Sequence, residues 1–211
     1  MIIDHKVAQL LVSRVCHDLA GSISAVSTGA ELMSEEGEMG ALGDDEALKV
    51  ISMSARQSVS RLAFLRVAFG RGGGDSDTIT TDELKTLVHN VLEGGRLSLV
   101  WGADNTRINL MAAKLLLNLC LIGSESLPRG GVLRIDVTEI GGRLGFAVSA
   151  TGDGAGLRPG VLSALSIDAD VEALTARTVH AHFAAILAQN LNAEMETQTN
   201  EADEIRLAAL M

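Results

Sequence analysis

Histidine is well suited to act as a nucleophile near neutral pH, because its unperturbed pKa of about 6.5 leaves much of the ring neutral. His17 lies in the run Arg14-Val15-Cys16-His17-Asp18-Leu19-Ala20-Gly21-Ser22. Around it Val7, Leu11, Val15, Leu19, Ile23, Val26, Ala30 and Met33 recur at spacings of three or four, the stripe of a helix that buries one face. At about 100° per residue His17 falls opposite that stripe, beside Ser13, Gly21, Ser24 and Thr28. The spacing therefore predicts an imidazole offered to solvent or to a partner. A helical histidine by itself is usually a surface residue with no role. Gly21 argues for more. A glycine inside a helix costs about 1 kcal/mol relative to alanine, yet this one lies a turn after His17 on the same face, where its missing side chain leaves room for something to approach.

The element that positions His17 needs a partner. After the Gly-rich, acidic stretch Glu35 to Asp45, read as a turn, a second helical pattern runs from Glu46 to Phe69 with Leu48, Ile51, Ala55, Val59, Leu62, Phe64, Leu65 and Phe69 on its apolar side. Two long helices joined by a short loop make an antiparallel hairpin. One hairpin cannot bury both stripes, whereas two in a C2 homodimer form a four-helix bundle that can. Gly70-Arg71-Gly72-Gly73-Gly74-Asp75-Ser76-Asp77 reads as a linker at a domain boundary.

The rest reads as an α/β domain. Thr80 and Glu83 form a capping-box start to a helix through Leu92, and a strand follows at Leu97 to Trp101. A buried helix spans Asn109 to Leu121. Strands at Gly131 to Ile140 and Arg143 to Ala150 meet at Gly141-Gly142, a tight-hairpin dipeptide. After Gly152-Asp153-Gly154-Ala155-Gly156 come a helical region, Val171 to Leu191, and closing strands Ala193 to Thr199 and Glu204 to Leu210. Helices on one side of a mixed sheet give a two-layer sandwich, so the whole is α+β.

Composition narrows the function. A net charge of −10 with 2% aromatics argues against nucleic acid, which calls for clustered cations and stacking rings. The 211 residues and 47% hydrophobic content suffice for one small and one medium packed domain. The most apolar segment, Leu110 to Gly123, is too short to span a bilayer and contains Lys114 and Asn118; no signal-peptide pattern opens the chain, so a cytoplasmic protein is expected. Cys16 and Cys120 lack metal-type spacing and read as reduced apolar fillers. His5, His89, His180 and His182 have no neighbours at ligand spacing and read as surface residues.

The order of a His-bearing hairpin, then a sandwich with an Asn-containing buried helix and a Gly-rich loop, resembles the core of sensor histidine kinases. Val15-Cys16-His17-Asp18-Leu19 with Gly21 and Ser22, Gly29-Ala30-Glu31-Leu32, and Arg61-Leu62-Ala63-Phe64-Leu65-Arg66-Val67-Ala68-Phe69-Gly70 together resemble the ChpT-type histidine phosphotransferases of alphaproteobacteria, over essentially the whole chain. The resemblance implies three segments: 1–70 for dimerisation and phosphotransfer, 71–77 as linker, and 78–211 as a degenerate kinase-type domain. The kinase pattern is broken in three places. Ile122 occupies the position of the kinases' metal-binding Asn, and an aliphatic side chain cannot coordinate Mg²⁺, which demands oxygen ligands. Ala150 falls where the kinases carry an adenine-reading Asp, although a register shifted by three would put Asp153 there with Gly156. Leu174-Thr175-Ala176-Arg177 replaces the second glycine box.

The function implied is transfer of a phosphoryl group between receiver-domain aspartates through His17, with no cofactor and no metal site in this chain, since Mg²⁺ and a Lys come from the receiver. The implied partners are a second copy of this chain, the receiver domain of a hybrid histidine kinase as donor, and response-regulator receivers, such as a CtrA-like regulator, as acceptors. Neither nucleic acid nor membrane is a partner. Arg14, one turn before His17, is expected to offset phosphate charge or to be merely solvated. Asp18 projects about 100° from His17 and is expected to orient the ring or a nearby cation. Gly21, Ser24 and Thr28 would meet the receiver, while Arg61 and Phe64 would mix intersubunit packing with docking, packing being the better reading for Phe64. Two rivals remain: an ATP-dependent histidine kinase and a non-catalytic dimeric adaptor.

Overall fold

The computed structural model describes residues 3–35, 42–70, 77–200 and 203–211. Helix α1 (His5–Glu35) and helix α2 (Leu42–Ala68) pack along each other as the expected hairpin. Their close approach is set where α1 has no side chain: a Cβ on Gly29 would stand 2.7 Å from Ile51 Cγ1. Further along, Ser58 Oγ donates to Ser22 Oγ at 2.9 Å. The second helix begins earlier than expected, since Leu42 to Asp45 are already helical; the rest of the expected turn, 36–41, lies outside the described residues, as does 71–76 of the expected linker.

The apolar stripe of α1 is divided in two. Val7 and Leu11 are buried, whereas Ile23 is 55% and Ala30 largely exposed in the single chain. Val12, Cys16, Ile23 and Ala30, which are exposed, and Leu19 and Val26, which are half-buried, follow one another at intervals of four and three, a heptad seam. On α2 the same spacing joins Leu48, Ser52, Ala55, Val59 and Leu62, with Val59 69% exposed. Cys16 is thus a member of an open seam, not the buried filler expected, whereas Cys120 is buried and burial pushes its thiol pKa up.

The sandwich follows. A short ribbon pairs β1 (Thr78–Thr80) with β3 (Arg107–Asn109), neither of which was expected from sequence. Between them lie α3 (Thr81–Leu92), opened by the Thr80–Glu83 capping box, and β2 (Leu97–Gly102). The buried α4 (Leu110–Glu125) starts at the cap Asn109, whose side chain accepts from the Met111 N–H. Strands β4 (Gly131–Ile140) and β5 (Arg143–Thr151) turn at Gly141 and Gly142, whose φ values of 60° and 79° are what a two-residue hairpin of this hand requires. One-turn α5 (Val161–Ala164), α6 (Val179–Leu191), β6 (Glu194–Asn200) and β7 (Glu204–Leu210) complete the chain.

The five-stranded sheet has the order β2-β4-β5-β7-β6, with β2 parallel to β4 and the other neighbours antiparallel. Along β4, Leu133, Ile135 and Val137 are buried while Val132 and Arg134 are exposed, the alternation of a sheet covered on one face. Helix α4 lies on that face, with α6 against it. The continuous helix expected over 171–191 is broken: a 3₁₀ turn covers Val171–Ala173, and 174–178 are not helical. Threonine hydroxyls compete for the backbone there, Thr178 Oγ1 accepting from the Thr175 N–H at 3.0 Å and Thr175 Oγ1 from the Arg177 N–H at 3.2 Å.

Hairpin and sandwich share one core. Val7, Leu11, Phe64, Leu65 and Ala68 join the apolar cluster of α4 and α6, and Phe69 meets Phe183 edge-on with ring centroids 6.0 Å apart. Asn118, fully buried on α4, donates to the carbonyls of Lys114 at 2.8 Å and Ala68 at 3.3 Å, tying the end of α2 to the sandwich.

Candidate functional site

His17 sits midway along α1 with its side chain 72% exposed, as the helical phase required. Ser24 and Thr28 continue the same exposed face, and Gly21 opens it: a Cβ there would meet nothing within 4 Å. The ring is not free of the protein. Its Nδ1 stands 3.4 Å from Asp18 Oδ1, while Asp18 Oδ2 accepts from Arg14 Nε at 2.7 Å. Adjacent helical residues point about 100° apart, so Asp18 reaches the edge of the imidazole from below. A carboxylate on Nδ1 selects the tautomer that carries its proton there, leaving the Nε2 lone pair for an electrophile.

Arg14 is neither solvated nor directed at the open face. It is 6% exposed, wedged between α1 and the sandwich, and all three of its donor nitrogens are engaged. Besides Asp18, Nη2 donates to Glu125 Oε1 at the end of α4, and Nη1 donates to His180 Nδ1 on α6 at 3.3 Å. Burial pulls the guanidinium pKa down, but the charge and hydrogen bond of Glu125, with those of Asp18, outweigh it and hold Arg14 above its ordinary value. His180 is fully buried. Burial, with Arg14 and Arg158 adding, pushes its pKa down to about 3, so the ring is neutral and accepts from Arg14. His180 and His182 are therefore buried residues, correcting the surface reading; His182 Nδ1 lies 3.1 Å from the Ser166 carbonyl.

Arg61, on α2, donates from Nη1 to the backbone carbonyl of Asp18 at 2.9 Å, bracing α1 at the residue beside His17. Phe64 is 3% exposed inside the shared core, which leaves it no surface to offer a partner; its expected docking contribution is corrected to packing within the chain. Beside His17 a cleft of about 900 Å³ opens between α1 and the sandwich, lined by Arg14, His17 and Asp18 on the α1 side and by Glu125, Arg158, Arg177 and Thr178 on the other.

Residues 81–203 match the family described as histidine phosphotransferase C-terminal domain. The chain belongs to this family. Over 194 residues it is 28% identical to protein phosphotransferase ChpT of Brucella abortus (strain 2308), covering 92% of this chain and 90% of that one. A bacterial phosphotransferase of known structure superposes with a TM-score of 0.85 at 27% identity, covering 99% of this chain and 98% of the other. This is a ChpT-type histidine phosphotransferase, and phosphotransferase activity follows from that membership. A histidine kinase domain from Erythrobacter litoralis shares the fold, with a TM-score of 0.51 at 13% identity over 89% of this chain and 95% of that one.

Three residues that the resemblance to kinases sets against nucleotide-binding positions have these surroundings in this phosphotransferase. Ile122 is buried against the core, and the methyl of Ala150 is buried at the end of β5. Asp153, the alternative adenine reader, points outward to an exposed ion pair with Arg129 at 2.8 Å. Reading the sequence missed Glu125, His180 and Arg158. Glu125 carried a signal: a carboxylate in the last turn of a helix opposes the helix dipole and needs a cation to hold it there. The apolar all-round pattern of α6 likewise marks a buried helix, and so buried histidines.

Proposed function

We propose that this chain relays a phosphoryl group between receiver-domain aspartates through His17, without hydrolysing ATP. One observation carries the reading: a 72% exposed imidazole whose Nδ1 faces a carboxylate, beside an open helix face. In the first step Nε2 attacks the phosphorus of an aspartyl phosphate in line; the P–N bond forms as the P–O bond breaks, and the electron pair leaves with the donor carboxylate. The ring becomes cationic, its Nδ1 proton facing Asp18. In the second step a carboxylate of another receiver attacks, and Nε2 leaves with its lone pair restored.

Gly21, Ser24 and Thr28 offer the receiver a small-residue face on which a helix of that domain can rest. Support for a relay without ATP comes from Ile122 and Ala150, which replace polar ligands by buried apolar groups. The open heptad seam supports a homodimer, because two hairpins bury what one leaves in water. The donor is the receiver of a hybrid histidine kinase, the acceptors are response regulators of CtrA-like type, and Mg²⁺ belongs to them. Among the described residues no helix is long and apolar enough to cross a membrane, and the proposed relay runs in the cytoplasm.

The experiment offers the protein two labelled donors in parallel, Mg-ATP carrying label on the γ-phosphate and a phosphorylated receiver domain. Label is expected from the receiver alone. Label from ATP would favour the kinase reading, and a stable receiver complex without label transfer would favour the adaptor.

A further inference from the structure

We propose that Glu125, on the sandwich, is a positioning residue for phosphotransfer: through Arg14 and Asp18 it holds the His17 ring with Nε2 turned toward the incoming phosphoryl group. The inference rests on His17 being the nucleophile. Three contacts make the chain: Glu125 Oε1 accepts from Arg14 Nη2, Arg14 Nε donates to Asp18 Oδ2 at 2.7 Å, and Asp18 Oδ1 lies 3.4 Å from His17 Nδ1. A guanidinium is a planar fork whose donors point in fixed directions, so the acceptor on one nitrogen fixes where the others aim. Glu125 is that acceptor. It lies in the last turn of α4, where the helix dipole disfavours a carboxylate and only the cations around it, Arg14 and Arg158 at 3.5 Å, make the placement favourable.

Without Glu125, Arg14 would keep Asp18 and His180 but lose the tie to α4, and the Asp18 carboxylate would lose the brace that directs Oδ1 at the ring. His17 makes no other side-chain hydrogen bond or ion pair among the described residues; a 72% exposed imidazole would then turn freely about its side-chain torsions. Phosphoryl transfer depends on in-line alignment more than on covalent help, so a loose ring costs rate even when its chemistry is intact. This gives the sandwich a part in the reaction that needs no nucleotide. The half-buried end of α4, the helix that holds metal in the kinases this chain resembles, here steadies the nucleophile.

The test uses the full chain, with a labelled phospho-receiver as the probe. Single-turnover transfer, receiver affinity and the ¹⁵N shifts of the His17 ring are measured for the wild type, Glu125→Ala, Glu125→Gln and Asp18→Asn. The wild-type ring is expected to be mainly the Nδ1–H tautomer. Glu125→Ala is expected to slow transfer about tenfold or more at unchanged receiver affinity, and to shift the ring toward the tautomer mixture of a free imidazole. Glu125→Gln, which keeps an acceptor for Arg14, recovers most of the rate. Combining Asp18→Asn with either Glu125 variant is expected to add no further loss, because Glu125 acts only through Asp18. An unchanged rate in Glu125→Ala, a slower rate with the ring tautomer unmoved, or additive losses would each overturn the proposal. If Glu125→Ala does not fold, the wild-type spectrum decides with Glu125→Gln: a wild-type ring mainly in the Nε2–H form, or a Glu125→Gln rate as low as that of Asp18→Asn, overturns it. Failure of the underlying reading looks different, since His17→Ala would then accept phosphate as the wild type does.

Discussion

Lowering the pH should destabilise this protein through one buried ring. His180 has no exposed surface, and its Nδ1 accepts from Arg14, so a second proton would set a cation against a guanidinium with Arg158 nearby; Glu125 Oε2, 3.8 Å from Nε2, is too far to hydrogen-bond it. Its pKa is about 3 folded against 6.5 for the ordinary group. Between these values the unfolded chain binds the extra proton and the folded one does not. Stability is therefore complete above pH 6.5 and lost as pH falls toward 3. Going from pH 7 to pH 5, a single such group removes about 2 kcal/mol, a large share of the 5–15 kcal/mol typical of a folded domain. Urea denaturation of the wild type and His180→Gln, at pH 7 and pH 5 and one fixed protein concentration, isolates the effect from the carboxylates, which are common to both. The wild type should lose about 2 kcal/mol more than the variant across that interval. Equal losses would refute the buried-neutral assignment.

Arg14→Met should cost about 2–3 kcal/mol in a thermal or urea melt, toward the low side for breaking a buried ion pair because Asp18 and Glu125 keep 20% and 15% of their side-chain exposure. Gly21→Leu should fold at least as well as the wild type, since a side chain there meets only solvent and helix propensity rises by up to about 1 kcal/mol, yet it should bind a receiver poorly in calorimetry. Replacing Ile23 and Val59 together by Asp should convert the proposed dimer into a monomer in light scattering, because each apolar side chain that a dimer would bury at the seam is worth about 1.5–3 kcal/mol and each new carboxylate there would be desolvated.

How far the sequence spoke depended on whether the signal was local. The capping box at Thr80, the Gly141-Gly142 turn and the alternation of β4 are short-range patterns, and each lies where the periodicity put it. The exposure of His17 followed from helical phase alone. The break at 174–178 was hidden because threonine hydroxyl bonds, not a proline or glycine, end the helical pattern. β1 and β3 are three residues each and owe their existence to pairing across 27 to 31 positions, which no window contains. The setting of Arg14 was hidden for the same reason: its partners Glu125 and His180 lie 111 and 166 residues away. Phase could place Arg14 near His17, but only the packing of the hairpin on the sandwich buries it.

The central claim is that His17 carries the phosphoryl group between carboxylates. The direct measurement mixes a labelled phospho-receiver with the wild type and with His17→Ala, then follows the label. The wild type should acquire label that is lost in acid and kept in base, as for a phosphohistidine, and should pass it to a second, unlabelled receiver. His17→Ala should keep the fold and oligomeric state of the wild type, since an exposed side chain away from special features shifts stability by no more than about 0.5 kcal/mol, and should acquire none. Label on His17→Ala, or wild-type label stable in acid, would contradict the relay at its first step.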